Sequence, residues 1–177
     1  TTDLGEEDWH EPVENYASQT RFDAERRLMR RLPVAFCPVA ALPDPGSYVA
    51  RASAGVPIVV VRDLSGTIRA FRNACRHRGM QLAEGSGCTK IFRCTYHGWA
   101  YRLDGRLEYV PHEHGFPELD KDSNGLVPVH DVIIQSGLVF VTQDEPVGAG
   151  ALESLPELLT GDQVLFDSNE SVDDINW

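Results

Sequence analysis

Two short stretches decide how this chain reads: Cys75-Arg76-His77-Arg78-Gly79 and Cys94-Thr95-Tyr96-His97-Gly98-Trp99. Each holds one thiol and one imidazole, separated by one residue in the first stretch and two in the second. Residues 78–93 lie between His77 and Cys94. A Cys and a His so close in one tight turn can point at a common centre. Two such turns bring four soft or borderline donors together.

Three readings of the four residues compete. The first, unrelated loop residues, fits poorly with two Cys/His pairs, each closed by a glycine. The second is a closed tetrahedral zinc site, but zinc-finger spacing pairs Cys with Cys and His with His, whereas both turns here mix them. The third is a [2Fe–2S] cluster in which two histidines replace two cysteines on one iron, a geometry that mixed turns suit. The third is favoured. The other candidates are weaker. Cys37 sits in an apolar segment and reads as a small buried hydrophobe. Cys88, in a Gly/Ser stretch, reads as a free thiol. His112 and His114 read as members of a solvated loop, and His10 and His130 have no supporting partners.

Outward from the two turns, the texture is that of a β protein. Candidate strands are 34–39, 47–52, 57–62, 67–72, 91–94, 99–103, 106–110, 129–135 and 138–142. They are rich in Val, Ile, Phe and Tyr and are punctuated by Gly, Pro, Asp and Ser. Asp104-Gly105 is expected to supply two positive-φ positions of a tight hairpin turn. Short strands at this spacing predict a mostly β fold, a small antiparallel sandwich or barrel, on which the two turns would form a cluster-binding subdomain. A short helix is expected over 21–32, opened by a capping box at Thr20 and Asp23 and stopped by Pro33. The expected organisation is an acidic arm and helix over 1–32, the cluster domain over 33–145, and a connector over 146–177. Within the connector, 152–159 is amphipathic.

The 177 residues carry a formal charge of −11, which argues against nucleic acid as a partner. The positive charge gathers between Arg62 and Arg106, so a charged protein partner remains conceivable beside the simpler reading of a soluble surface. No apolar run approaches the ~18 residues of a membrane span. Thr1–Asp8 is acidic and polar, unlike a signal peptide, so a cytoplasmic location is expected.

The two turns and their flanks resemble the cluster signature of the Rieske non-haem iron oxygenases, the aromatic-ring-hydroxylating dioxygenases. Arg72–Gly79 and Cys94–Trp99 carry the resemblance, supported by Asp63–Gly66, Tyr101–Leu107, Gly125-Leu126 and Gly137–Val141. Thr95 stands where Pro is commoner. The resemblance implies a Rieske [2Fe–2S] cluster, with Cys75 and Cys94 on the inner iron and His77 and His97 on the outer. It implies an oxidoreductase system that uses O2 and NAD(P)H in aromatic hydrocarbon catabolism. Electrons would come from a ferredoxin or flavin reductase and go to a mononuclear Fe(II) in a catalytic domain of the same or a neighbouring subunit, within a trimer. In the family that iron site follows an Asn-Trp pair, so Asn176-Trp177 is read as the entry to a catalytic domain, and no catalytic residue is assigned here. Respiratory Rieske proteins have disulfide cysteines where this chain has Met80 and Tyr96, and a serine where it has Trp99. Fewer donors to the sulfurs imply a low reduction potential. The alternative, from a different class, is a stand-alone Rieske ferredoxin.

Overall fold

The computed structural model describes residues 12–148. The expected amphipathic stretch 152–159, the pair Asn176-Trp177 and His10 lie outside the described residues.

Two helices come first, α1 (Glu14–Ala17) and α2 (Gln19–Met29). α1 falls where an unstructured arm was expected. α2 is capped by Ser18, whose Oγ accepts from the backbone of Arg21 at 3.3 Å, and not by Thr20. Side chains one turn apart hold it: Gln19 donates to Asp23 at 3.0 Å and Arg21 to Glu25 at 3.2 Å. None of its residues is buried. It is tied to the domain at its end, where the carbonyl of Arg30 accepts from the backbones of Gln143 and Asp144, each at 2.9 Å.

The strands follow in chain order: β1 (Val34–Pro38), β2 (Ser47–Ser53), β3 (Val56–Arg62), β4 (Ile68–Arg72), β5 (Gly85–Cys88), β6 (Phe92–Arg93), β7 (Ala100–Tyr101), β8 (Leu107–Tyr109), β9 (Asp131–Gln135) and β10 (Leu138–Thr142). They form three antiparallel sheets, with orders β1-β10-β9, β4-β3-β2-β5 and β6-β7-β8. The four-stranded sheet is central. Ile58 and Val60 of β3 enter a core shared with Phe36, Val139 and Val141. Val59 and Val61 enter a second core with Phe92, Tyr101 and Leu107. All four β3 residues are fully buried, so this strand reads as a continuous apolar run and shows no alternation. No helix among the described residues is long and apolar enough to cross a membrane.

Three departures from expectation have specific causes. β5 has the composition of a loop, yet it pairs with β2 in the register Tyr48↔Gly87. A Cβ on Gly87 would come within 2.9 Å of the Tyr48 hydroxyl, and the Tyr48 ring packs edge-on against Phe92 at 5.7 Å. The glycine makes room for that ring, and tertiary packing overrides the low strand propensity. β7 is cut to two residues because the Trp99 carbonyl is taken by Cys94 N at 2.8 Å. In the 102–106 turn only Gly105 has positive φ (+92°). Gly105 N donates to Arg102 O at 3.0 Å, and Arg102 N to Arg106 O at 2.8 Å. This is a three-residue hairpin with a left-handed glycine, not the two-residue turn expected from Asp104-Gly105.

Candidate metal centre

The stretches that hold the four candidate ligands close in the same way. In the first, Gly79 N donates to Cys75 O and Cys75 N to Met80 O, both at 2.8 Å. In the second, Gly98 N donates to Cys94 O at 3.0 Å and Cys94 N to Trp99 O at 2.8 Å. Gly79 and Gly98 occupy matching left-handed positions, φ +73° and +74°, where a side chain would be strained. The histidine is the third residue of the first loop and the fourth of the second. The unequal spacings in sequence are therefore two placements on one loop geometry.

The loops leave the ends of β4 and β6 and face each other. Cys75 and Cys94 are both 3% exposed and belong to the same buried core. The His77 and His97 rings lie at the surface end, with centroids 4.7 Å apart. The donors thus come as an inner thiol pair and an outer imidazole pair. Among the described residues, no three or more His, Cys, Asp or Glu side chains gather as a site for one ion. A closed zinc site would need all four ligands about 2.0–2.3 Å from one point. Paired sulfurs and paired nitrogens suit a two-iron centre with a different ligand type on each iron, so these residues fit the cluster.

Burial, reinforced by the neighbouring Cys94 sulfur, pushes the Cys75 thiol above its ordinary pKa, although the Tyr101 hydroxyl opposes the shift. Ligation by iron must displace that proton, which couples metal loading to pH. His77 is pushed below its ordinary value by burial and then by the charges of His97 and Arg78. That keeps its ring neutral, the form that binds metal.

Two residues that hold the site were not singled out from sequence. Tyr101, on β7, is fully buried; its hydroxyl lies 3.2 Å from Cys75 Sγ and accepts from Arg76 N at 2.9 Å. Burial and the nearby thiols hold its phenol well above its usual range, so it stays a neutral donor. Asn73 is 2% exposed and links the start of the first loop to its exit. It donates to Ala83 O at 2.7 Å and accepts from Leu82 N at 2.9 Å and Ala83 N at 3.2 Å. The available signals were a tyrosine in a short strand beyond the second loop and an Asn two residues before the first cysteine. Neither is specific alone. Trp99, read only as a missing serine, is 5% exposed and stacked on His77, with centroids 5.0 Å apart and planes 7° apart.

The remaining candidates fall outside the site. Cys37 is 6% exposed in the apolar core, and burial raises its thiol to about 11. Cys88 is an exposed free thiol on β5. His112 and His114 flank an exposed turn, their centroids 6.0 Å apart and Glu113 bound to Lys121 at 2.7 Å. His130 lies 3.6 Å from Glu145.

Known proteins resemble this chain in sequence and fold. A sequence profile described as the Rieske [2Fe–2S] domain matches residues 33–127. The carnitine monooxygenase oxygenase subunit of Escherichia coli (strain K12) is 33% identical over 165 residues, covering 86% of this chain and 44% of that protein. A solved quaternary ammonium Rieske monooxygenase superposes with a TM-score of 0.73 at 30% identity, over 80% of this chain and 39% of that one. The naphthalene 1,2-dioxygenase from Rhodococcus sp. does so at 0.70 and 36% identity, over 77% of this chain and 31% of that one. This chain therefore spans less than half the length of these relatives.

Proposed function

We propose that this chain, which belongs to the Rieske [2Fe–2S] domain family, is the electron-transfer part of the terminal oxygenase of a ring-hydroxylating or related monooxygenase system. The observation that carries the reading is the paired donor set, two buried sulfurs beneath two histidines near the surface. Cys75, Cys94, His77 and His97 are the proposed ligands. Bound there, a [2Fe–2S] cluster supplies reversible storage of one electron. The chain's own residues do the rest. The two cysteines anchor the group in a water-poor core, and Tyr101 stabilises added negative charge at Cys75 with its hydroxyl. His97 is exposed, stacked on the exposed ring of Tyr96, where a partner would meet it first. Arg76 and Arg78, on either side of His77 in the chain, are also exposed and favour an acidic partner.

On this reading the electron donor is a ferredoxin or flavin reductase, and the recipient is a mononuclear non-haem iron site in a catalytic domain of the same or a neighbouring subunit. The reading takes 33–145 as the cluster domain, 1–32 as an arm and 146–177 as a connector. β9 and β10 support the later boundary, because both lie beyond residue 127 and close the sheet on β1. The stand-alone carrier is less favoured, because similarity to an oxygenase subunit covers 86% of the chain, more than residues 33–145 alone make up. A cytoplasmic location goes with a supply of electrons from NAD(P)H.

The test is a redox titration of the iron-loaded chain. A potential toward the lower end of the Rieske range of about −150 to +300 mV is expected. A value near the upper end would contradict an oxygenase role and point to a respiratory-type carrier.

A further inference from the structure

We propose that Phe116, on the segment 111–124 that packs against both ligand loops, is a positioning residue that clamps the Trp99–His77 stack and screens it from water. The inference rests on the cluster reading above.

The segment contributes no ligand, yet it is built against both ligand loops. At its start, Pro111 abuts the second loop so closely that a Cβ on Gly98 would meet Pro111 Cγ at 3.0 Å. At its far end, Leu126 N donates to Gly105 O at 2.7 Å. Between these anchors the backbone makes a single turn of 3-10 helix, Glu113–Gly115, entered through His112 at φ +53°. A left-handed non-glycine residue costs of order 1 kcal/mol or more and persists where surroundings hold it. Here the holding contacts are local. Phe116 N donates to Glu113 O at 2.8 Å, Leu119 N to Phe116 O at 3.0 Å, and Lys121 bridges to Glu113 at 2.7 Å. Leu119 packs on the cluster-side core.

This stiff segment delivers one aromatic ring to the site. Phe116 meets His77 edge to face at 6.3 Å and 83°, and meets Trp99 at 6.1 Å and 90°. Trp99 belongs to the second loop and His77 to the first, so one ring braces a side chain from each. The geometry is the favourable T-shaped one. The two histidines differ as a result. His77 packs against both Trp99 and Phe116, whereas among the described residues the only ring beside His97 other than His77 is its neighbour Tyr96, 3.8 Å away. Phe116 is 40% exposed, and its hidden side faces the Trp99–His77 stack. Removing the ring opens a path for water to that side. Reduction adds negative charge, which water stabilises, so the potential should rise.

The experiment uses the iron-loaded chain with Phe116→Tyr, Phe116→Leu and Phe116→Ala. Reduction potential, the electron paramagnetic resonance spectrum and bleaching by an iron chelator are measured for each. Phe116→Ala should shift the potential upward, alter the spread of g values and speed bleaching several-fold. Phe116→Tyr keeps the ring and should match the parent, with Phe116→Leu between them. If Phe116→Ala does not load, Phe116→Leu carries the same comparison. A purely structural role would lower the melting temperature without moving potential or g values, and that result overturns the proposal. A parent chain without a His-ligated cluster signal would overturn the cluster reading and this inference with it. A normal parent signal with unmoved variants would overturn this inference alone.

Discussion

The hydroxyl of Tyr101 sits 3.2 Å from the sulfur of Cys75 while accepting from the backbone N–H of Arg76 at 2.9 Å. Because the Arg76 bond uses a lone pair of the oxygen, the hydroxyl hydrogen is free to point at sulfur. A donor to a ligating sulfur stabilises the reduced, more negative state. Tyr101→Phe should therefore lower the reduction potential by tens of millivolts. A hydrogen bond of about 1 kcal/mol corresponds to roughly 40 mV for one electron. A redox titration of the variant checks this. The expectation of a low potential, drawn from Met80, Tyr96 and Trp99, thus needs amending by one donor.

Asn73 is the lock on the first loop. Asn73→Ala leaves the Leu82 and Ala83 backbone N–H groups and the Ala83 carbonyl without their partner in a buried region. The cost should be on the order of 3 kcal/mol. Chemical denaturation should show the loss, and chelator bleaching of the loaded variant should be faster than for the parent.

Asp63 supports the turn between β3 and β4, well away from the ligands. Burial alone would raise its carboxyl. Bonds from the side chains of Ser65 and Arg69 and from the backbones of Thr67 and Ser65 outweigh that and bring it down to about 2. A carboxyl depressed on folding adds stability that is present above its unfolded value, about 3.9, and is lost as pH falls from there through about 2. Asp63→Asn should lower the melting temperature at pH 7 and flatten the decline in stability across that acid window. Thermal melts of parent and variant at several pH values test both halves.

The cysteines should separate by reactivity. Cys88 is exposed and Cys37 is buried with its thiol raised to about 11, while Cys75 and Cys94 are the proposed ligands. In the loaded protein at pH 8, a thiol reagent should modify Cys88 quickly. Cys75 and Cys94, no more exposed than Cys37, should stay unmodified with it and react together on unfolding after the iron is removed. Fast labelling of Cys75 or Cys94 in the loaded protein would count against their assignment as ligands.

Much of this site was legible in the sequence because its chemistry is local. A Cys and a His within one turn, closed by a glycine, point to a candidate ligand loop, and both loops fold alike despite unequal spacing. Strands β2, β3 and β4 of the central sheet were legible for the same reason, as apolar-rich segments bounded by turn residues. What escaped depends on contacts distant in the chain. β5 is a strand only because β2 is beside it and Gly87 accommodates Tyr48. Tyr101 becomes a donor only where β7 meets the first loop. Phe116 becomes a clamp only because Pro111 seats its segment on Gly98. The turn at Asp104-Gly105 shows the opposite case, a strong local signal with the right location and the wrong conformation, because Asp104 keeps an ordinary negative φ.

The most direct test of the central claim is an electron paramagnetic resonance spectrum of the dithionite-reduced chain, with iron and zinc counted on the same sample. The account predicts a rhombic signal with the low average g of a His-ligated [2Fe–2S] cluster, and about two irons per chain. A silent spectrum with stoichiometric zinc would contradict it and leave a structural metal domain in its place.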